Sequence, residues 1–159
     1  MSGIAASQRG YYRLIWAIVA LSALTGVAHL FVSSQYFIQW WGYGYFFIWA
    51  GLSQLGFAFL IIVQPLFFGT SEVSDLQRGS LRRKLFLIGA LGNEGVITLY
   101  VITRTIGVPF LGPAVNVILP LEPLGLAVTL AELAVVVMLL ILARQRLPKP
   151  SDGRKSATA

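Results

Sequence analysis

The chain has no cysteine among its 159 residues. No disulfide, thiolate nucleophile, zinc–thiolate site or iron–sulfur cluster is therefore open to it, and the quinone-linked thiol-oxidation families, some of them four-span, are excluded as well. It has a single histidine, which excludes bis-histidine haem ligation within one chain. Charge is scarce too. Asp, Glu, Lys and Arg make up 11% of the residues against 57% apolar, where a soluble domain carries about a quarter charged. The twelve Lys and Arg against six Asp and Glu leave a net charge of +6, a balance that on its own would suggest nucleic acid. That reading fails, because the basic residues decorate no surface domain. They sit between long apolar runs, where lipid headgroups would be.

Those runs are what the chain has in abundance. Four apolar stretches, 14–33, 44–63, 85–103 and 124–143, are each long enough to cross a hydrocarbon core of about 30 Å, which takes roughly 20 helical residues. Water is absent there, so backbone groups must be satisfied within each segment. Four segments are too few for a closed barrel, so each is a helix. The fold class expected is all-α: a left-handed four-helix membrane bundle forming one domain over 1–143, followed by a basic, disordered tail over 144–159.

Orientation follows from where the basic residues fall. Arg9 and Arg13 precede the first span, Arg78, Arg82, Arg83 and Lys84 lie between the second and third, and Arg144, Arg146, Lys149, Arg154 and Lys155 follow the fourth. Arg104 alone falls on the other side. The positive-inside rule then puts both termini and the solvated 64–84 loop in the cytoplasm of a cell with this protein in its inner membrane. A cleaved signal peptide, with Gly26 and Ala28 as the small residues before the cut, would push one terminus across the membrane and is set aside.

The outer face has its own composition. Tyr36, Trp40, Trp41, Tyr43, Tyr45 and Trp49 crowd the first outer turn, as in an aromatic belt at headgroup level or a wall around an apolar ligand. The second outer connection, 105–123, combines helix breakers (Gly107, Pro109, Gly112, Pro113, Pro120 and Pro123) with apolar side chains. A connection this apolar is expected to lie on the membrane surface or to fold back over the bundle as a lid. Arg104 and Glu122 face each other across it as a possible anchoring pair.

Ionisable groups inside a span cost roughly 3 kcal/mol and by default suggest function. Glu94 and Glu132 lie near mid-membrane, joined by His29, Gln54 and Asn93. At 1.5 Å per residue these groups fall about 10–15 Å below the outer ends of their spans, so all four helices offer a hydrogen-bonding group at one depth. Spacings of three and four put Ser22, Thr25, Gly26 and His29 on one face of the first span, and Gly51, Gln54 and Ala58 on one face of the second. Leu91, Glu94 and Thr98 mark a face of the third, with Gly89, Asn93 and Ile97 adjacent; Gly125, Thr129 and Glu132 mark the fourth. Small residues at Ser22/Gly26 and Ala127/Ala131 permit close helix approach. Leu52-Ser53-Gln54-Leu55 and Leu130-Ala131-Glu132-Leu133 align Gln54 with Glu132, as a parallel repeat of two hairpins would.

The functional expectation is a ligand-binding or transporting pocket in the outer half of the bundle, lined by His29, Gln54, Asn93, Glu94 and Glu132. If the two carboxylates share it, Glu94→Gln and Glu132→Gln should be non-additive in stability. Three alternatives use the same residues differently. The chain could be an accessory subunit of a larger membrane complex. It could be an intramembrane proton-transfer enzyme, an isomerase or cyclase acting on a lipid or isoprenoid, with Glu94, Glu132 and His29 as acid and base. It could hold a metal on His29, Glu94 and Glu132. A buried Glu can also be protonated and purely structural. No pattern specifies a cofactor. Membrane lipids are the expected surroundings, with a homo-oligomer or a larger membrane assembly as possible partners.

Overall fold

The computed structural model describes residues 2–69, 75–107 and 117–145, with side chains over 9–64, 79–107 and 117–145. Among these the regular elements are all helices: α1 (Ser2–Gln39), α2 (Trp41–Gly69), α3 (Asp75–Thr105) and α4 (Pro123–Arg144). All four are long and apolar enough to cross a membrane. The chain is a membrane-spanning four-helix bundle.

The helices outrun the expected spans, most of all around 64–84, where α2 continues to Gly69 and α3 begins at Asp75. Of the solvated loop expected there, 75–84 is helical; 70–74, and 146–159 of the expected tail, lie outside the described residues. The reason is that hydropathy marks only the apolar part of a helix, and a polar stretch such as 75–84 can extend it without lengthening the apolar run.

Each connection is set by local chemistry. One residue, Trp40, separates α1 from α2; its N–H bonds back to Tyr36 O at 3.0 Å and its carbonyl accepts from Tyr43 N at 3.1 Å. A Cβ at Gly42 would overlap the Trp40 ring, and one at Gly44 the Phe37 ring, so glycine lets the aromatic corner close. α3 ends at Thr105, and two residues later Gly107, whose φ of 75° suits glycine, returns its N–H to Ile102 O at 2.9 Å. α4 starts with Pro123 directly after its N-cap Glu122, a position where the missing N–H costs nothing.

The packing is lopsided. α1 packs against both α2 and α4, and α3 packs against α4, but α2 and α3 scarcely touch. A two-fold repeat would make the α2–α3 and α1–α4 contacts equivalent, so the symmetry suggested by aligning Gln54 with Glu132 is not kept. α1 and α2 come close at Gly26 and Gly51, where a Cβ on Gly51 would sit 2.7 Å from the Gly26 carbonyl. Lipid is as apolar as a leucine side chain, so such close backbone packing, rather than exclusion from water, holds membrane helices together.

The interior is layered. Toward the end that carries the termini it is apolar: Ile18, Phe86, Val135 and Leu139 are almost completely buried, with Ala58 and Ile61 beside them. One turn further on, each helix changes character. Ser22, Thr25, His29 and Ser33 of α1, Gln54 of α2, Asn93 of α3 and Glu132 of α4 are all buried. This polar layer faces the end carrying the α1–α2 and α3–α4 connections, called here the hairpin end.

Candidate functional site

Three of the hydroxyls are satisfied locally, whereas Ser22 Oγ is buried without a partner among the described residues. Thr25 Oγ1 donates to Leu21 O at 3.0 Å, Ser33 Oγ to Leu30 O at 2.7 Å and Thr129 Oγ1 to Gly125 O at 2.9 Å. Such bonds spare a helical hydroxyl from needing a partner on another helix. Three other side chains bond across helices. Glu132, with no solvent exposure, presents Oε1 to His29 Nε2 at 2.8 Å and accepts from Gln54 Nε2 at 2.7 Å. One carboxylate oxygen thus ties α1, α2 and α4 together.

The proton in this cluster has two possible seats. The imidazole N–H can donate to a carboxylate, or a protonated Oε1 can donate to a neutral Nε2 while still accepting from Gln54. Either way His29 and Glu132 form an acid–base pair at hydrogen-bonding distance. Glu132 Oε2 is buried and has no hydrogen-bond partner among the described residues. An orphaned buried group of this kind costs about 1–3 kcal/mol.

His29 and Glu132 form the floor of a cavity of about 270 Å³ that extends toward the hairpin end. Aromatic rings make much of its wall: Tyr36, Trp40, Tyr43, Phe46 and Phe47 from one side and Tyr100 from the other. Phe47 stacks between Tyr36 (centroids 4.3 Å apart) and His29 (5.5 Å), so the rings run from rim to floor. Of the six aromatics expected at this end, three line the cavity. The others, Trp41, Tyr45 and Trp49, follow at intervals of four along α2 and are exposed on its outer side. Helical periodicity divides one cluster between the cavity wall and the outer surface.

The rim involves the second hairpin connection. Leu119 N–H bonds to Thr103 O at 3.0 Å, and Val117, Leu119 and Glu122 line the mouth. Residues 108–116 of the expected lid lie outside the described residues. Arg104 does not pair with Glu122. Its guanidinium lies over the Tyr100 ring, 4.8 Å from the centroid, and its Nη1 donates to Thr103 Oγ1 at 3.0 Å.

The structure brings together three of the five residues singled out from sequence: His29, Gln54 and Glu132. Asn93 is buried near them but donates to Gly89 O on its own helix at 2.8 Å. Glu94 is exposed on the far face of α3, with Leu91 and Thr98. The rotation of α3 decides this: Phe86, Ala90 and Asn93 turn inward, and a neighbouring position is rotated by about 100°. Glu94 therefore contributes nothing to the cavity, and the His29–Glu94–Glu132 trio is not assembled. No grouping of three His, Asp or Glu able to hold a metal occurs among the described residues.

Tyr100 escaped the sequence reading. Its hydroxyl is buried beside the cavity without a partner among the described residues, and its ring lies where a Cβ on Gly125 would come within 2.8 Å. The signal was its spacing from Asn93 and Ile97 along one face. The chain matches no protein-family model, no curated protein and no solved structure.

Proposed function

We propose that this protein binds a small, largely apolar molecule in the cavity at the hairpin end, with the molecule's polar group bonded to Glu132. The observation that carries this reading is a fully buried carboxylate with one oxygen unpartnered, set in the floor of an aromatic-walled cavity. Apolar cavities with a few convergent polar groups are the usual form of small-molecule sites. Mid-membrane carboxylates are seldom kept without a role.

Binding suits the architecture better than passage across the membrane. Below Glu132 the interior is filled by Ile18, Phe86, Val135 and Leu139, and among the described residues no buried polar side chain continues the polar layer through them. The charge distribution would turn the cavity mouth toward the outside of an inner membrane. The His29–Glu132 pair also has the parts for proton transfer to a bound ligand, which makes an isomerase-type activity an extension of the same site.

Glu94 favours a second reading, that of a subunit in a larger assembly. A carboxyl facing lipid about 15 Å from the end of its helix is too deep to reach headgroups, and a neighbouring membrane helix with a hydrogen-bonding residue would cover it.

Native mass spectrometry of the purified protein tests the binding reading. The wild type and Glu94→Gln should carry the same co-purifying small molecule, and Glu132→Gln should lose it. Retention by Glu132→Gln, or no bound species in any of the three, would overturn the proposal.

A further inference from the structure

Above the apolar layer, the bundle is open on one side. Where α2 and α3 scarcely touch, a second hollow of about 330 Å³ runs along the seam. Phe46, Trp49 and Phe57 of α2 and Ile88 of α3 form its apolar walls. Across from them α3 presents Gly89 and Gly92, and nothing lies within 4 Å of where a Cβ on Gly92 would be. Bare helix backbone at Gly92 therefore forms part of the groove, whereas at Gly89 a Cβ would overlap the Phe57 ring, which closes the groove at that level.

Two features join this groove to the cavity. Phe46 and Val96 line both. Gln54 lines the groove and donates to Glu132 in the cavity floor. From Phe46 to Phe57 the helical rise is about 16 Å, roughly the hydrocarbon depth of one leaflet.

At the junction, polar atoms lack partners of one kind. Gln54 and Asn93 are 6% and 5% exposed. Each uses its amide nitrogen, in bonds to Glu132 Oε1 at 2.7 Å and Gly89 O at 2.8 Å. Gln54 Oε1, Asn93 Oδ1 and Glu132 Oε2 remain buried and without a partner among the described residues. With Glu132 ionised, all three are hydrogen-bond acceptors. An ammonium offers three donors and a hydroxyl one, whereas a carboxylate head would set acceptor against acceptor beside Glu132.

We propose that the ligand is an amphiphile with a hydrogen-bond-donating head, held by Glu132, Gln54 and Asn93, and an apolar chain that leaves the bundle sideways between α2 and α3. This deepens the binding reading and rests on it. The ligand then reaches its site from the lipid, through the seam, and the aromatic cavity receives whatever extends from the head toward the hairpin end. Access from the membrane also explains why the seam is lined by apolar residues and glycine.

The test uses the full chain in phosphatidylcholine nanodiscs and, as probe, dodecylamine carrying a diazirine at its chain end. Photolabelled residues are mapped by mass spectrometry with and without excess unlabelled dodecylamine. Competable labelling is expected along the groove, at Phe57 and Ile88. Dodecanoic acid with the same diazirine should label it roughly tenfold less, a difference of about 1.4 kcal/mol. Gly92→Leu, which fills the groove from a position with open space, should reduce groove labelling by a similar factor.

Competable labelling at Trp40 and Val117, lost in Glu132→Gln but unaffected by Gly92→Leu, would overturn lateral access and leave the binding reading standing. Competable labelling unaffected by Glu132→Gln would overturn both. Labelling that unlabelled amine fails to compete would overturn the assignment of an amine-type head.

Discussion

Glu94 and Glu132 are the same residue type at about the same depth, yet one faces outward on α3 and the other is completely buried inside the bundle. What separates them is the direction each Cα–Cβ bond takes from its helix, a matter of a hundred degrees per residue. Glycines divide in the same way. Gly26 and Gly51 each lie against the other's carbonyl, whereas Gly56 has nothing within 4 Å of a would-be Cβ. Gly51→Val should therefore cost about 1–3 kcal/mol through forced separation of α1 and α2. Gly56→Ala should leave stability unchanged or raise it by up to about 1 kcal/mol, because alanine restricts the unfolded backbone. Thermal unfolding in detergent reads both, and equal shifts would contradict the backbone contact.

At the level of the helices, each one changes from apolar to polar within a turn, and these changes fall in register. Ile18 precedes Ser22, Ala58 follows Gln54, Ala90 precedes Asn93 and Val135 follows Glu132. The register is tied by the bonds of His29 and Gln54 to Glu132. Direct contact means coupling: a double-mutant cycle on Gln54→Ala and Glu132→Gln should give an interaction energy of about 0.5–3 kcal/mol. The cycle on Glu94→Gln and Glu132→Gln should be additive within about 0.5 kcal/mol. This reverses the expectation drawn from depth alone, because α3 turns Asn93 inward in place of Glu94. Coupling between the two carboxylates would mean that α3 is rotated from the position described.

Across the whole molecule, three packed helix contacts and one open seam make a bundle that is sealed at the end carrying the termini and hollow toward the other. Which side of the membrane the hollow faces is a matter of charge. With basic residues concentrated at the terminal end, the mouth should face outward. Val117→Cys, at an exposed position on the rim, should react with an impermeant maleimide applied to intact cells. Labelling only after lysis would invert the orientation and point the cavity to the cytoplasm.

The number of spans, the helical class and the depth of the polar layer were determined by the sequence alone, because in lipid they depend on run length, composition and rise per residue, all local quantities. The inward faces of α1, α2 and α4 were legible for the same reason, as spacings of three and four around His29, Gln54 and Glu132. The face of α3 was not. Both of its stripes carry a polar residue, Asn93 in one and Glu94 in the other, and nothing within the helix chooses between them. Packing against α4 made the choice. Only the tertiary structure, likewise, decided that three aromatics turn into the cavity while three turn out, that one oxygen of Glu132 meets both His29 and Gln54, and that α2 and α3 stand apart. Those features depend on how far each helix is rotated and how closely pairs of helices approach, and both are set by contacts between residues distant in the chain.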